Sequence, residues 1–318
     1  MSVTVHSEVI DLDEMIPRMI SVECEDKDVE RLIPWVFSEF SKVNDHEPWT
    51  ARWPTKHTMF RSFFYRLRQY MNEFHGWTDR HYPGVIQTTE TITLPKMYWK
   101  APTRELFSNH MWLQGRALNL LMETTYSVLE REKKVLPSLK FPHSACRQTY
   151  FVGGERYFSR PEGAVYFGRR NRLVPIISYV GWFKDQTWGE YLGETLSAML
   201  GQLARNIRNP VRDQEVFVVG LYGPYFYIAR GFFAAATIVR VHTKGCSDDE
   251  TTELKFTRNY DLRQKAGWMA AMRALTRLFR SAGNGFIGMD IRKEMNHGNG
   301  LLNKEITLFI IHSTTFRL

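Results

Sequence analysis

Residues 160–232 constrain the fold most, because apolar strands and one long amphipathic helix alternate within this short stretch. Apolar runs at Gly163–Phe167 and Val174–Phe183 flank the polar loop 168–172, a pattern typical of a β-hairpin. Large apolar residues then recur every three or four positions over Trp188–Ile207, which predicts a helix with one buried face. Such a helix needs a sheet on which to bury that face.

The flanking sequence supplies further strands and two more helices. Apolar runs at Val216–Leu221 and Tyr225–Ala229 surround a Gly-Pro turn, and Ala235–His242 predicts a third strand. Helical periodicity covers Ser108–Lys134 and resumes from about Leu262 to Ser281. The sequence therefore predicts an α/β (α+β) fold, with a mixed β-sheet flanked by helices.

The first hundred residues differ in character from the rest of the chain. Helical patterns at Val29–Phe40 and Thr58–Phe74 are separated by proline-containing loops, and a short β-like run, TTETITL, follows. We therefore predict an acidic and helical extension over residues 1–104, packed against a main domain over residues 105–318.

The charge is distributed unevenly between these parts. Residues 1–50 hold twelve acidic residues against four Lys and Arg, a local net charge of −8. Because the whole chain carries +8, residues 51–318 carry +16. A basic body favours a polyanionic partner such as nucleic acid, although the same surplus also serves solubility when it is spread over the surface. A third possibility is that the acidic segment folds back on the basic body.

Other features exclude several classes of protein. No run of about 20 apolar residues is present, and residues 1–14 lack the pattern of a signal peptide, so no membrane partner is expected. The three cysteines, Cys24, Cys146 and Cys246, show no CxxC spacing. They indicate neither a disulfide framework nor a zinc site, and they predict an intracellular protein of the cytoplasm or nucleus.

Two short motifs flank the predicted hairpin. Pro161-Glu162 opens the first strand, and Trp182-Phe183-Lys184 closes the second, directly before the long helix. In this order the elements over about residues 108–281 resemble the core of the PD-(D/E)xK nuclease-like superfamily, specifically a fungal branch of poorly characterised proteins. The resemblance implies metal-dependent cleavage of phosphodiester bonds, with Mg²⁺ held by carboxylates and a lysine beside it.

The resemblance also implies a site, and the chain departs from it at one position. Glu162 stands at the first acid of the motif and Lys184 at its lysine, but Trp182 replaces the second acid. Acids of this superfamily migrate to the following helix, so the resemblance makes Glu194 the replacement, with Glu162 and Glu194 as the metal ligands. Glu190 has another explanation, because Thr187 three residues earlier completes a capping box with it.

Each of these residues also has an ordinary interpretation. Glu162 suits an exposed turn, and Lys184 suits a strand end from which its charge reaches solvent. Arg273, Arg277 and Arg280 share one face of the last predicted helix and could bind nucleic-acid phosphates, or could simply form a solvated face.

Two functions of different class follow from these observations. The first is a degenerate nuclease-like protein, a pseudoenzyme without a cofactor, that acts as a nucleic-acid- or protein-binding module. The alternative is an active, magnesium-dependent endonuclease that cleaves DNA or RNA with Glu162, Lys184 and Glu194. Trp182 favours the first.

Overall fold

The structure is a computed structural model that describes residues 2–43, 52–73, 87–94, 107–133, 138–142, 147–169, 172–183, 186–206, 210–247 and 250–287. Its helices are α1 (Leu12–Met15), α2 (Val22–Arg31), α3 (Val36–Glu39), α4 (Arg61–Glu73), α5 (Ser108–Lys133), α6 (Trp188–Asn206), α7 (Ala235–Lys244) and α8 (Lys265–Ile287). Its strands are β1 (Ser2–Val9), β2 (Thr88–Thr93), β3 (Leu139–Lys140), β4 (Gln148–Val152), β5 (Glu155–Ser159), β6 (Gly163–Arg169), β7 (Arg172–Gly181), β8 (Gln214–Tyr222), β9 (Tyr225–Phe233), β10 (Thr251–Phe256) and β11 (Tyr260–Asp261).

Nine of the described strands form one mixed sheet, which confirms the predicted α/β class. Its order is β2-β1-β10-β9-β8-β7-β6-β3, with β11 paired to β9, while β4 and β5 form a separate hairpin. β6 and β7 pair antiparallel, as predicted, and β7 pairs parallel with β8. α6 makes the crossover between these two parallel strands, since a parallel pair cannot be joined by a tight turn.

Helices cover both faces of the sheet because the strand side chains alternate between two apolar cores. On β8, Val219 and Leu221 join a core shared with α2, α4, α5 and α8. Val216 and Val218 of the same strand point to a second core, shared with α6 and the β4–β5 hairpin. The predicted inward face of α6 is confirmed, since Leu192, Leu196, Met199 and Leu203 are all buried there.

The chain leaves the sheet where a further strand was predicted, so the prediction over Ala235–His242 is wrong. These residues form α7, in which Ile238 is buried and Val239 is exposed. Asp213 Oδ1 accepts a hydrogen bond of 2.8 Å from the amide of Ala235, which satisfies one of the free donors at a helix start. β-branched residues at helical spacing were mistaken for a strand because they favour both structures locally.

The acidic N-terminal region contributes a strand as well as helices. β1 lies between β2 and β10, antiparallel to β2 and parallel to β10. The sheet therefore takes strands from both sides of the predicted boundary at residue 104. The strand predicted over Ile306–His312 lies outside the described residues.

Candidate functional site

Trp182 lies just beyond the end of β7, at the position for which the nuclease resemblance predicts a second acid. Only 3% of its surface is exposed. Its ring stacks on Tyr191 with centroids 4.7 Å apart and planes inclined by 7°, while Trp188 and Tyr222 lie at 5.6 and 5.1 Å. The position therefore belongs to an aromatic cluster, which we define as Trp182, Trp188, Tyr191 and Tyr222.

Hydrogen bonds join the residues that follow β7 to Gln186. The indole nitrogen of Trp182 donates a hydrogen bond of 3.3 Å to the carbonyl of Gln186. The amide of Phe183 donates one of 3.4 Å to the side chain of Gln186, so both residues that follow β7 are bonded to the residue two positions before α6. Burial raises the pKa of Tyr191, and the nearby Glu194 acts in the same direction, so the tyrosine hydroxyl stays protonated.

Glu162 directly precedes β6, the strand paired with β7, and packs against α5. Its amide donates a hydrogen bond of 2.8 Å to the carbonyl of Tyr179 on β7. Its backbone packs so closely on α5 that a Cβ added to Gly115 would lie 2.8 Å from the carbonyl oxygen of Glu162. The glycine thus permits the close approach of helix and strand, and Glu162 itself is half-buried.

The other predicted acids lie on α6. Glu194 is buried within this helix, which packs on the core that contains Trp182. Glu190 forms the predicted capping box: its carboxylate accepts hydrogen bonds from Thr187, at 2.8 Å from the amide and 3.1 Å from the hydroxyl. The amide of Glu190 in turn donates to the Thr187 hydroxyl at 3.2 Å, which confirms its structural role. Lys184 lies outside the described residues.

The residues at this position do not fit a magnesium ion. An indole supplies no oxygen ligand, and Trp182 occupies the place of the carboxylate with a ring packed on other rings. Within the described ranges, no three His, Cys, Asp or Glu side chains form a group that could hold a metal ion. The metal-binding roles of Glu162 and Glu194 stay predictions.

The predicted basic stripe is instead a set of ion pairs with the acidic N-terminal segment. Arg277 on α8 is 3% exposed. Its Nε and Nη2 contact the two carboxylate oxygens of Glu25 on α2 at 2.9 and 3.1 Å. Nη1 of the same side chain lies 2.5 Å from Asp13, and this hydrogen bond holds the pKa of the Asp13 carboxyl below its ordinary value.

The two neighbouring arginines are neutralised in the same way. Arg273 contacts Glu25 at 3.1 Å and Asp26 at 2.6 Å, and Arg280 pairs with Asp28. Glu25 and Asp28 are buried, which the sequence pattern did not indicate. In this structure the acidic segment folds back on Arg273, Arg277 and Arg280 and pairs with them, and their role in binding phosphates stays a prediction.

No family model matches the chain, and no curated protein is significantly similar to it. Within the described residues, no helix is long and apolar enough to cross a membrane.

Proposed function

We propose that this chain is a nuclease-like protein without metal-dependent activity that acts as a nucleic-acid-binding module. The observation that carries the proposal is the burial of Trp182 within the aromatic cluster at the end of β7. If the resemblance to PD-(D/E)xK nucleases holds, this is the place of an indispensable metal ligand.

The surroundings of Trp182 would not favour a metal-binding carboxylate at this position. A carboxylate at this position would be surrounded by Trp188, Tyr191 and Tyr222, and burial of an unpaired charge among rings is strongly unfavourable. The position therefore contributes to stability through apolar burial and ring contacts.

Charge favours nucleic acid over a protein partner. The chain carries a net charge of +8, and because acids of its N-terminal segment pair with arginines of α8, the basic excess lies outside these pairs. This excess attracts polyanions over long distances. A location in the cytoplasm or nucleus belongs to the same proposal, since nucleic acids are found there.

Binding and cleavage assays on the full chain test the proposal. We expect the wild type to bind single-stranded DNA or RNA, with an affinity that falls roughly tenfold or more as salt rises from about 50 to about 200 mM. No cleavage should follow the addition of Mg²⁺ or Mn²⁺. The variant Trp182→Glu should be less stable by about 3–5 kcal/mol, as for other losses of a buried Trp, and should bind no more Mg²⁺ in calorimetry than the wild type.

Matched variants separate true cleavage from contamination. Cleavage by the wild type that disappears in both Glu162→Gln and Glu194→Gln would establish the active endonuclease and overturn the proposal. Cleavage of equal strength in the wild type and both variants marks a contaminating nuclease, and repurification should remove it. Failure to bind any nucleic acid at low salt overturns the binding function.

A further inference from the structure

A basic cleft opens between α4 and α5. Its volume is about 730 Å³. Arg61, Arg66 and Arg116 line it together with Tyr65, and the hydroxyls of Thr58 and Ser62 lie at its border. None of the described residues that line the cleft is acidic. We call this feature the α4–α5 cleft.

The arginines of the α4–α5 cleft differ from those of α8 in having free donors. Among the described residues, no side chain forms an ion pair or hydrogen bond with the guanidinium of Arg61 or Arg116. The Nε of Arg116 is buried without a hydrogen-bond partner. Arg66 donates to Gln69 at 2.6 Å and contacts no carboxylate among those residues. Three guanidinium groups around one cleft, with no carboxylate paired to them in the part of the chain that the structure describes, are chemically suited to an anion.

Two exposed aromatic rings lie beside these arginines. Tyr65 is 50% exposed and Trp112 is 51% exposed, although large aromatic rings are usually far more buried. The guanidinium of Arg66 lies 5.9 Å from the ring of Tyr65 and 5.8 Å from that of Trp112. Arg66 therefore joins the two rings to the basic lining, and each ring offers a surface on which a planar group can stack.

The start of α4 is held in a fixed and strained conformation. Phe60, directly before Arg61, has a φ of 59°, which is uncommon for a bulky residue. Its buried ring packs edge-on against Trp268 at 4.9 Å, so the core maintains this conformation. Strain of this kind persists where the surroundings impose it, and here it lies directly before Arg61, a residue that lines the cleft.

We propose that the α4–α5 cleft binds a nucleotide unit, with its phosphate on Arg61 and Arg116 and its base stacked on Trp112 or Tyr65. Guanidinium groups match phosphate oxygens in geometry, and the hydroxyls of Thr58 and Ser62 can donate to the same anion. The cleft volume lies within the range of small-molecule sites, roughly 300–1,000 Å³. The unit belongs either to a free nucleotide or to single-stranded nucleic acid, which share this chemistry.

This inference deepens the proposed function and rests on its nucleic-acid-binding part, but it does not depend on Trp182. The charge reversal Arg61→Glu and the truncation Trp112→Ala test it, because both side chains are exposed and neither change disturbs the core. Fluorescence anisotropy with labelled single-stranded DNA and RNA measures the affinity for a nucleic-acid strand. Calorimetry with ATP and with inorganic phosphate measures the affinity for a free nucleotide and for its phosphate alone.

Arg156 provides the matched control for Arg61. It is exposed on β5, and its guanidinium lies 4.8 Å from the ring of Phe158, so it has the same charge and a similar aromatic neighbour on the separate hairpin. Arg156→Glu changes the net charge by the same amount as Arg61→Glu. Phe232→Ala removes an equally exposed aromatic ring elsewhere. Circular dichroism and thermal unfolding verify that each variant is folded.

We expect Arg61→Glu to weaken binding at least tenfold and to lower the salt dependence, and Trp112→Ala to weaken it about fivefold or more. Trp112→Phe should restore most of the loss, while Arg156→Glu and Phe232→Ala should change affinity less than twofold. Equal losses in Arg61→Glu and Arg156→Glu would overturn the inference, since charge alone would then explain binding.

The remaining outcomes separate the inference from the proposed function. Oligonucleotide binding that is unchanged in Arg61→Glu and Trp112→Ala would overturn the cleft and leave the proposed function intact. Binding of ATP but not of oligonucleotides would support the cleft and overturn the nucleic-acid partner. No binding of either would overturn both, and binding of inorganic phosphate as tightly as ATP would overturn the stacked base.

Discussion

The guanidinium of Arg277 donates two hydrogen bonds, of 2.9 and 3.1 Å, to the carboxylate of Glu25, and both side chains are buried. The pair joins α8 to α2, which are separated by about 250 residues of sequence, a span that costs entropy to close. Buried ion pairs of this kind contribute little when intact but are costly when one partner is removed.

The first prediction therefore concerns the loss of one partner. Arg277→Met should reduce the free energy of unfolding by about 1–3 kcal/mol, because buried Glu25 loses its two-contact partner and keeps only the single contacts with Arg273 and Arg18. Urea unfolding measures the change. The double variant Arg277→Met with Glu25→Met should be less destabilised than Arg277→Met alone. Arg205→Met, at an exposed position of α6, is the control and should lie within about 0.5 kcal/mol of the wild type.

A second prediction concerns acid. The hydrogen bond from Arg277 holds the pKa of the Asp13 carboxyl below its ordinary value of 3.8. Because the pKa of Asp13 is lower in the folded chain than in the unfolded chain, its pairing with Arg277 stabilises the fold fully above the ordinary pKa. This contribution is lost as the pH falls through the folded-state pKa. Urea midpoints measured from about pH 5 to about pH 2 should therefore fall more steeply for the wild type than for Asp13→Asn. Parallel curves would contradict the pairing.

His110 on α5 gives a third prediction at higher pH. Burial lowers its pKa from 6.5 to about 4, and its ring lies 4.6 Å from that of Tyr70. Between these two pKa values the unfolded chain binds a proton at His110 and the folded chain does not. The contribution of His110 to the free energy of unfolding is therefore fully present above about pH 6.5 and declines as the pH falls towards about 4. The decline is at most about 3–4 kcal/mol, since a tenfold difference in proton affinity corresponds to about 1.4 kcal/mol.

His110→Phe should abolish this part of the pH dependence while it keeps the ring contact with Tyr70. The exposed His57 is the control position, and His57→Phe should retain the decline of the wild type. A decline that persists unchanged in His110→Phe would assign it to other groups.

The fourth prediction tests the packing of α6 on the sheet. Leu196 is 2% exposed within the core of α6 and the β4–β5 hairpin, so Leu196→Ala should destabilise the protein by about 2–5 kcal/mol. Met19→Ala removes an exposed apolar side chain and should cost less than about 0.5 kcal/mol. Similar midpoints for both variants in urea would show that α6 does not bury this face.

The elements with continuous periodicity were predictable from sequence. α6 and the β6–β7 hairpin repeat their pattern over enough residues that local preference and burial agree. α7 was missed because ten residues rich in alanine and β-branched side chains carry both patterns. Only the position of Asp213 and the course of β9 decide between them, and these are tertiary facts.

The electrostatic arrangement was only partly predictable. Counting charges suggested that the acidic segment could fold back, but sequence could not pair Arg277 with Glu25, since that contact depends on the approach of two distant helices. The α4–α5 cleft was missed for the same reason. Trp112 matches the apolar periodicity of α5, yet the neighbouring helix leaves it exposed. The available signal was the presence of Arg61, Tyr65 and Arg66 within one short helical stretch.

The position of β1 has a consequence for biosynthesis. Its parallel partner β10 follows about 250 residues later, because Thr4 pairs with Thr251. At a translation rate of about 5–20 residues per second, residues 2–9 wait on the order of 10 to 50 seconds before that partner is made. During this time the apolar side chains Val3 and Val5 have only β2 to pair with, and an open strand edge recruits foreign strands. The nascent chain therefore carries an unpaired strand edge for most of its synthesis.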